Sequence, residues 1–169
     1  MLLADSQSHR TTFRMSAKLK GALAKFESFG DPKLSIELVP KSSHFENLRN
    51  HVKPSDWTCL RKAVAANAGH VCEICGGQGS RCAVACHERW LYDDARRIQK
   101  LEGLIALCPD CHAVKHIGRQ IVLGFGDEAK AHLGHVNGWN QDVTEAYVDA
   151  AGELWLERRG CRERHRSTG

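Results

Sequence analysis

The sequence predicts an α+β fold in which zinc staples a strand–strand–helix (ββα) unit and further helices flank it. Two observations carry this prediction. Two Cys-x-x-Cys pairs, Cys72/Cys75 and Cys108/Cys111, are separated by 32 residues. Two strand-like segments lie between the pairs, and a helical pattern starts at the second pair. Two such pairs, brought together, supply the four thiolates of a closed tetrahedral zinc site.

Size and composition are those of one soluble globular domain: 169 residues, of which 42% are hydrophobic and 26% charged. No apolar run approaches the roughly 18 residues that a membrane span needs. Asp5 and Ser6 follow the opening Met1–Ala4 too soon for a secretory signal. We therefore expect a cytoplasmic protein with no membrane partner, and in a reducing cytosol its eight cysteines favour metal ligation over disulfides.

The formal net charge of +4 is concentrated toward the ends of the chain. The clustered basic residues are Arg10, Arg14, Lys18, Lys20 and Lys25 near one end and Arg158, Arg159, Arg162, Arg164 and Arg166 near the other. Such ends favour a polyanion partner, with ordinary solvated ends as the alternative. The predicted organisation is a flexible basic segment (1–30), a zinc domain with flanking helices (31–159) and a basic tail (160–169).

The elements before the first cysteine pair are an arm and a helix. Residues 34–39 alternate with period two, which predicts a strand that packs against the core as an arm. A helix is predicted after Pro54, with Ser55 as its N-cap and Gly69 as its end. Its apolar stripe, expected to pack on the zinc module, comprises Trp57, Leu60 and Val64.

Around the cysteines the predicted order is knuckle, strand, strand and helix. In the segment 71–77, glycines let the chain fold back so that backbone N–H groups point at the thiolates. Strands are predicted at 83–88 and 104–107, and a helix opens at Cys108. Further helices are predicted at 127–133 and 141–159, the second with a core-facing stripe.

Four other cysteines have no partner at this spacing. We expect Cys59 to be buried and Cys161 to be a free thiol in the tail. Cys82 and Cys86 are the alternative zinc ligands if the set differs.

Three histidines surround the predicted ββα unit. His87 ends the first strand, while His112 and His116 are four residues apart on one helix and share a face. A single histidine is more often structural. Three around one unit combine the usual metal ligand with the side chain suited to proton transfer near neutral pH.

These motifs resemble the zinc-bearing branch of the HNH, or ββα-metal, endonucleases of bacteria and phages. The motifs that carry the resemblance are Cys72-Glu-Ile-Cys75-Gly76, His87-Glu88, Leu107-Cys108-Pro-Asp-Cys111-His112 and Lys115-His116. The similarity extends over about residues 35–157. One position departs from the family pattern: Gly103 stands where the family has an Asn that orients the site.

The resemblance implies metal-assisted hydrolysis of DNA phosphodiester bonds. His87 would act as general base, and His112 would hold a catalytic divalent ion (Mg²⁺, Mn²⁺ or Ni²⁺) that stabilises the phosphate and the departing 3′ oxygen. Glu88 or His116 would complete the metal shell. In the alternative register the strand-end pair supplies ligand and then base, so that Cys86 or His87 is the ligand. Structural alternatives are a surface ion pair for Glu88 and a helix-end charge for His116.

Two classes of function follow. The first is a DNA nuclease, weakened by Gly103, whose contacts with the DNA backbone come from Arg96, Arg97, Lys100, Lys115 and Arg119. The second is a zinc-stabilised module of HNH descent that holds DNA or a protein partner without cutting. The sequence leaves the oligomeric state open.

Overall fold

A computed structural model describes residues 15–40, 43, 46–78, 83–94, 96 and 98–163. Within these residues the chain is a mixed α+β structure with one two-stranded antiparallel sheet, which confirms the α+β part of the predicted fold. The elements are α1 (Ala17–Glu27), a 3₁₀ helix (Leu48–Asn50), α2 (Pro54–Asn67), β1 (Ala85–Asp93), β2 (Ile98–Leu107), α3 (Pro109–Lys115), α4 (Ile117–Val122), α5 (Gly126–Asn137) and α6 (Gln141–Glu163). No helix of the described part of the chain is long and apolar enough to cross a membrane.

The strands β1 and β2 form a hairpin that leads directly into α3. Its register runs from the pair Ala85–Leu107 to the pair Asp93–Ile98, with one irregularity after Arg89. Both strands are longer than predicted. Pairing continues through Trp90, Leu91 and Tyr92 on β1 and through Ile98 and Leu101 on β2. The order strand, strand, helix is present as predicted.

Residues 34–39 do not form the predicted strand: Leu34 lies in a bend, and residues 35–39 have no regular secondary structure. Leu34 and Ile36 are buried in the core, so the arm does pack as expected. Its backbone groups bind helices instead of another strand. The partners are Asn137 for Leu34, Tyr147 for Ile36, the Lys115 carbonyl for Glu37, Arg158 for Leu38 and Trp155 for Val39.

Residues 17–27 are helical where the sequence predicted a flexible segment up to residue 30. The side chain of Ser16 caps α1, and Leu19 packs with Leu154 of α6 in a small cluster of its own. An ion pair of 2.8 Å between Lys25 and Glu153 adds to this contact. Packing against α6, which the local sequence cannot reveal, stabilises this short segment as a helix.

The helix α2 lies at the edge of the hairpin and has no fully buried residue. Trp57 and Val64 are half-buried and Leu60 is exposed, so its predicted stripe packs only in part. Cys59 is exposed, and its predicted burial is wrong.

The main core surrounds the predicted zinc ligands. Helices α3 and α5 pack together, and α5 packs on α6. Completely buried side chains in this core are Leu34, Leu107, Cys111, Val114 and Leu133, with Tyr147, Cys72 and Cys108 almost as buried. The cysteine cluster is therefore continuous with the hydrophobic core.

Candidate metal centres

The sulfur atoms of Cys72, Cys75, Cys108 and Cys111 lie within 4.8 Å of one another. The Sγ atoms of Cys75 and Cys108 are 3.6 Å apart. A tetrahedral zinc ion about 2.3 Å from each thiolate requires sulfur–sulfur distances of about 3.8 Å. The four predicted ligands are thus assembled closely enough to bind one zinc ion.

Backbone amides point at two of these sulfurs, as the knuckle pattern predicted. Gly76 has a φ of +79°, a conformation that favours glycine, and it turns the chain back on itself. The next amide, of Gly77, then donates to Sγ of Cys75 at 3.4 Å. Likewise the amide of Cys111 donates to Sγ of Cys108 at 3.4 Å, which caps the start of α3.

Glu73 joins the knuckle to the end of the hairpin. Its amide donates to the carbonyl of Ala106 at 3.0 Å, and its carboxylate accepts from the amide of Ala106 at 2.6 Å. These two hydrogen bonds attach the knuckle to the end of β2. The first cysteine pair is thereby placed beside Cys108, which follows β2.

The thiols of this cluster are unequal in acidity. Burial raises the pKa of Cys111 far above its usual range, and it raises that of Cys108 to about 11. For Cys72, burial acts in the same direction, but hydrogen bonds from neighbouring backbone groups outweigh it and lower the pKa to about 7. Four adjacent buried thiols ionise together only beside a cation. The cluster is therefore suited to a bound divalent metal.

Sequence reasoning missed His132, whose Nε2 lies 3.2 Å from Sγ of Cys111. Burial lowers the pKa of His132. If a metal held Cys111 as a thiolate, the Nε2–H tautomer of the neutral imidazole would donate to that sulfur. Donors of this kind orient and stabilise metal ligands from outside the metal shell. His132 lies on α5, and no motif spacing connects it with the cysteines.

A second cluster consists of His87, His112 and His116. One ring nitrogen of each lies within 4.8 Å of the other two. The ring centroids are 5.0–5.3 Å apart, with the rings edge to face. β1 supplies His87, while His112 lies on α3 and His116 at its C-terminal end. In the described part of the chain, this trio and the four cysteines are the groups of three or more side chains that could hold a metal ion.

Glu37 of the arm adjoins this trio and was not singled out from the sequence. One of its carboxylate oxygens lies 3.3 Å from Nε2 of His87, and the two side chains are only 14% and 6% exposed. Tyr92 also contacts Glu37: burial raises the pKa of its phenol, and the charge of Glu37 and a hydrogen bond to it raise the pKa further. The alternation of residues 34–39 marks Glu37 as polar but gives no sign of what it faces.

Two imidazoles of the trio are kept neutral by their surroundings. Burial lowers the pKa of His112 to about 4, and the charges of His116 and His87 lower it too, while Glu37 opposes them. Burial likewise lowers the pKa of His116. Neutral imidazole is the form that binds metal ions. Burial therefore favours the metal-binding form of His112 and His116.

Glu88 is directed away from the histidines. Its two carboxylate oxygens accept from the amide of Leu48 at 3.0 Å and from the indole of Trp90 at 2.9 Å. Since neighbouring residues of a strand face opposite sides of the sheet, Glu88 cannot face His112 and His116 as His87 does. Of the alternative ligands, Cys86 lies on β1 outside the thiol cluster, and Cys82 lies outside the described residues.

The predicted DNA-contacting residues fall in separate places. Arg96 and Lys100 are exposed on the outer half of the hairpin. Arg119 is exposed on α4, near enough to His116 for its charge to lower that pKa. Lys115 is half-buried, and its ammonium donates to the hydroxyl of Ser35 at 3.0 Å. Arg97 lies outside the described residues.

No protein-family model, curated protein or solved structure matches this chain.

Proposed function

We propose that this chain is an HNH-type, metal-dependent endonuclease that hydrolyses DNA phosphodiester bonds on a zinc-stapled ββα-metal core. The observation that carries the proposal is the convergence of His87, His112 and His116 where the hairpin meets α3. Three protein nitrogens are typical of catalytic metal sites, because they leave a coordination position for substrate. Four cysteines, in contrast, form a closed structural site, so the two clusters suit different tasks.

A divalent ion on the trio would supply Lewis-acid stabilisation of the negative charge that develops on a phosphodiester and its leaving oxygen. The donor set narrows the choice of ion. Imidazole nitrogens suit Zn²⁺ and Ni²⁺, whereas Mg²⁺ prefers oxygen ligands. We therefore expect this site to bind Ni²⁺ or Zn²⁺ more tightly than Mg²⁺, and to bind Mn²⁺ with intermediate affinity.

His87 has two candidate roles, general base and metal ligand. Its proximity to His112 and His116 and its 6% exposure support the ligand role, since a base must reach the attacking water. Glu88 is engaged by the Leu48 amide and the Trp90 indole, which supports a role in holding the hairpin. We propose His112 and His116 as the other two ligands.

Contacts with DNA are assigned to the exposed cations. Arg119, beside His116, is the candidate for the phosphate next to the scissile bond. Lys100 pairs with Leu91, four residues along β1 from His87, or about 13 Å away. Arg96 lies still farther along the hairpin, so these two cations are candidates for more distant phosphates.

The test is cleavage of supercoiled plasmid by the zinc-loaded protein with added Ni²⁺, Zn²⁺, Mn²⁺ or Mg²⁺, and with EDTA as control. We expect nicking that depends on the added ion and is lost in His112→Ala. His51→Ala is the matched control, because His51 is exposed and outside both clusters. Absence of nicking with every ion would refute the nuclease.

A second candidate is a zinc-stabilised module that binds DNA or a protein without cutting. Two observations favour it: Gly103 lacks the polar side chain that the resembled family carries, and Glu88 is already hydrogen-bonded. Under this function the protein would retard labelled duplex DNA in a gel with a strong salt dependence, and no ion would cause nicking.

A further inference from the structure

We propose that Glu37 is the anionic partner of the histidine trio: its carboxylate holds His87 in place and offsets the charge of the divalent ion. This inference rests on the metal site of the proposed function, but it does not depend on DNA cleavage. Glu37 is a positioning residue in this assignment.

The side chain of Glu37 contacts His87 and Tyr92. Its carboxylate oxygen lies 3.3 Å from Nε2 of His87, and both side chains are largely withdrawn from water. A metal-binding histidine commonly donates its second ring N–H to a carboxylate, which fixes the tautomer and the ring orientation. Glu37 is placed to do this for His87.

The arm holds Glu37 rigidly from both sides. Its amide donates to the carbonyl of Lys115, the last residue of α3, at 3.1 Å. The next two carbonyls, of Leu38 and Val39, accept from Arg158 at 3.0 Å and from the Trp155 indole at 2.9 Å. Glu37 is thereby fixed to the helix that carries His112 and to α6.

Charge balance gives the second reason. Three neutral imidazoles leave the two positive charges of a bound ion uncompensated, and Lys115 adds a further cation close by. The carboxylate of Glu37, 3.3 Å from Nε2 of His87 and only 14% exposed, is a negative charge placed directly against the trio. An ion held by the trio would therefore gain from its carboxylate.

The test measures metal affinity without any nucleic acid. Zinc-loaded protein is titrated with Co²⁺ by calorimetry, while visible absorption separates Co²⁺ bound to nitrogen and oxygen from Co²⁺ that has replaced zinc on thiolates. We expect Glu37→Gln to weaken Co²⁺ binding at the trio by about 10–100-fold, the usual effect of losing an outer-shell partner. Zinc on the cysteines should stay at one ion per chain.

Glu46→Gln is the matched control, because Glu46 also contacts a histidine, His51, at 3.1 Å, but on the surface. It should bind Co²⁺ like the wild type. Glu37→Gln keeps the size of the side chain, so it decides the matter even if Glu37→Ala is unfolded. Wild-type Co²⁺ affinity and an unchanged cobalt spectrum in Glu37→Gln would overturn the inference. If Glu37→Gln weakens Co²⁺ binding while the wild type nicks no DNA, the inference about Glu37 is upheld and the nuclease is refuted.

Discussion

The guanidinium of Arg89 lies over Gly103, its partner across the hairpin. A Cβ on Gly103 would be 3.3 Å from Nη2 of Arg89 and 3.8 Å from its Nε. Arg89 is exposed and lies two residues from His87, on the same face of β1. A flexible cation thus covers the position where the resembled family carries Asn.

Gly103→Asn should fold normally and raise the rate of cleavage. The new side chain meets only the far end of Arg89, which can move, so we expect a change in unfolding free energy of less than about 1 kcal/mol. If poor orientation limits the reaction, the added amide should improve it. The measurement is the initial rate of plasmid nicking, and Gly103→Ala is the control because it adds a Cβ without a polar group. Equal rates in both variants would contradict this expectation.

Cys108→Ser should abolish folding. Structural zinc contributes an apparent 10–16 kcal/mol in small zinc peptides, about as much as the total stability of a typical domain. Serine is itself a good N-cap, so the loss could not be attributed to the cap that Cys108 gives α3. The measurements are zinc per chain by elemental analysis and helicity by circular dichroism. Cys59→Ser, at an exposed position, should retain both; a stable wild type free of zinc would contradict the structural role.

The sequence predicted contacts that lie within one element or one motif. Cys-x-x-Cys places two sulfurs on one turn, and a spacing of four brings His112 of α3 close to His116, which caps the end of that helix. These relations are fixed by local geometry. The pairing of the two cysteine turns followed from the chemistry of zinc, which needs four ligands.

Contacts between distant elements could not be predicted in the same way. Glu37 and His132 reach the two clusters only because the arm and α5 pack on α3. Residues 34–39 were predicted as a strand, but they form none, and their hydrogen-bond partners include helical side chains. An alternating pattern specifies an extended chain with one buried side and leaves the partner unspecified.

His132→Ala should weaken zinc retention without unfolding the chain. The variant removes the donor that lies 3.2 Å from Sγ of Cys111, and outer-shell losses typically cost about 10–100-fold in metal affinity. The measurement is the rate and midpoint of zinc transfer to a chromogenic chelator. His135→Ala, on the same helix but exposed, should behave like the wild type. Identical transfer from both variants would show that the contact does not stabilise the thiolate.

The role of His87 can be decided by counting metal ions. As a ligand, His87 supplies one of three ring nitrogens that lie within 4.8 Å of one another. Its removal should therefore weaken binding of the ion by more than the loss of a partner outside the metal shell does. After loading with Ni²⁺ and dialysis, His87→Ala and His112→Ala should each retain only the zinc on the cysteines, whereas the wild type carries one further ion.

Both variants should lose plasmid nicking. Their affinity for duplex DNA in metal-free buffer should be unchanged, because neither histidine contributes to the phosphate contacts of Arg119 and Lys100. If His87→Ala keeps the second ion and loses only cleavage, His87 is the general base and the ligand assignment is wrong.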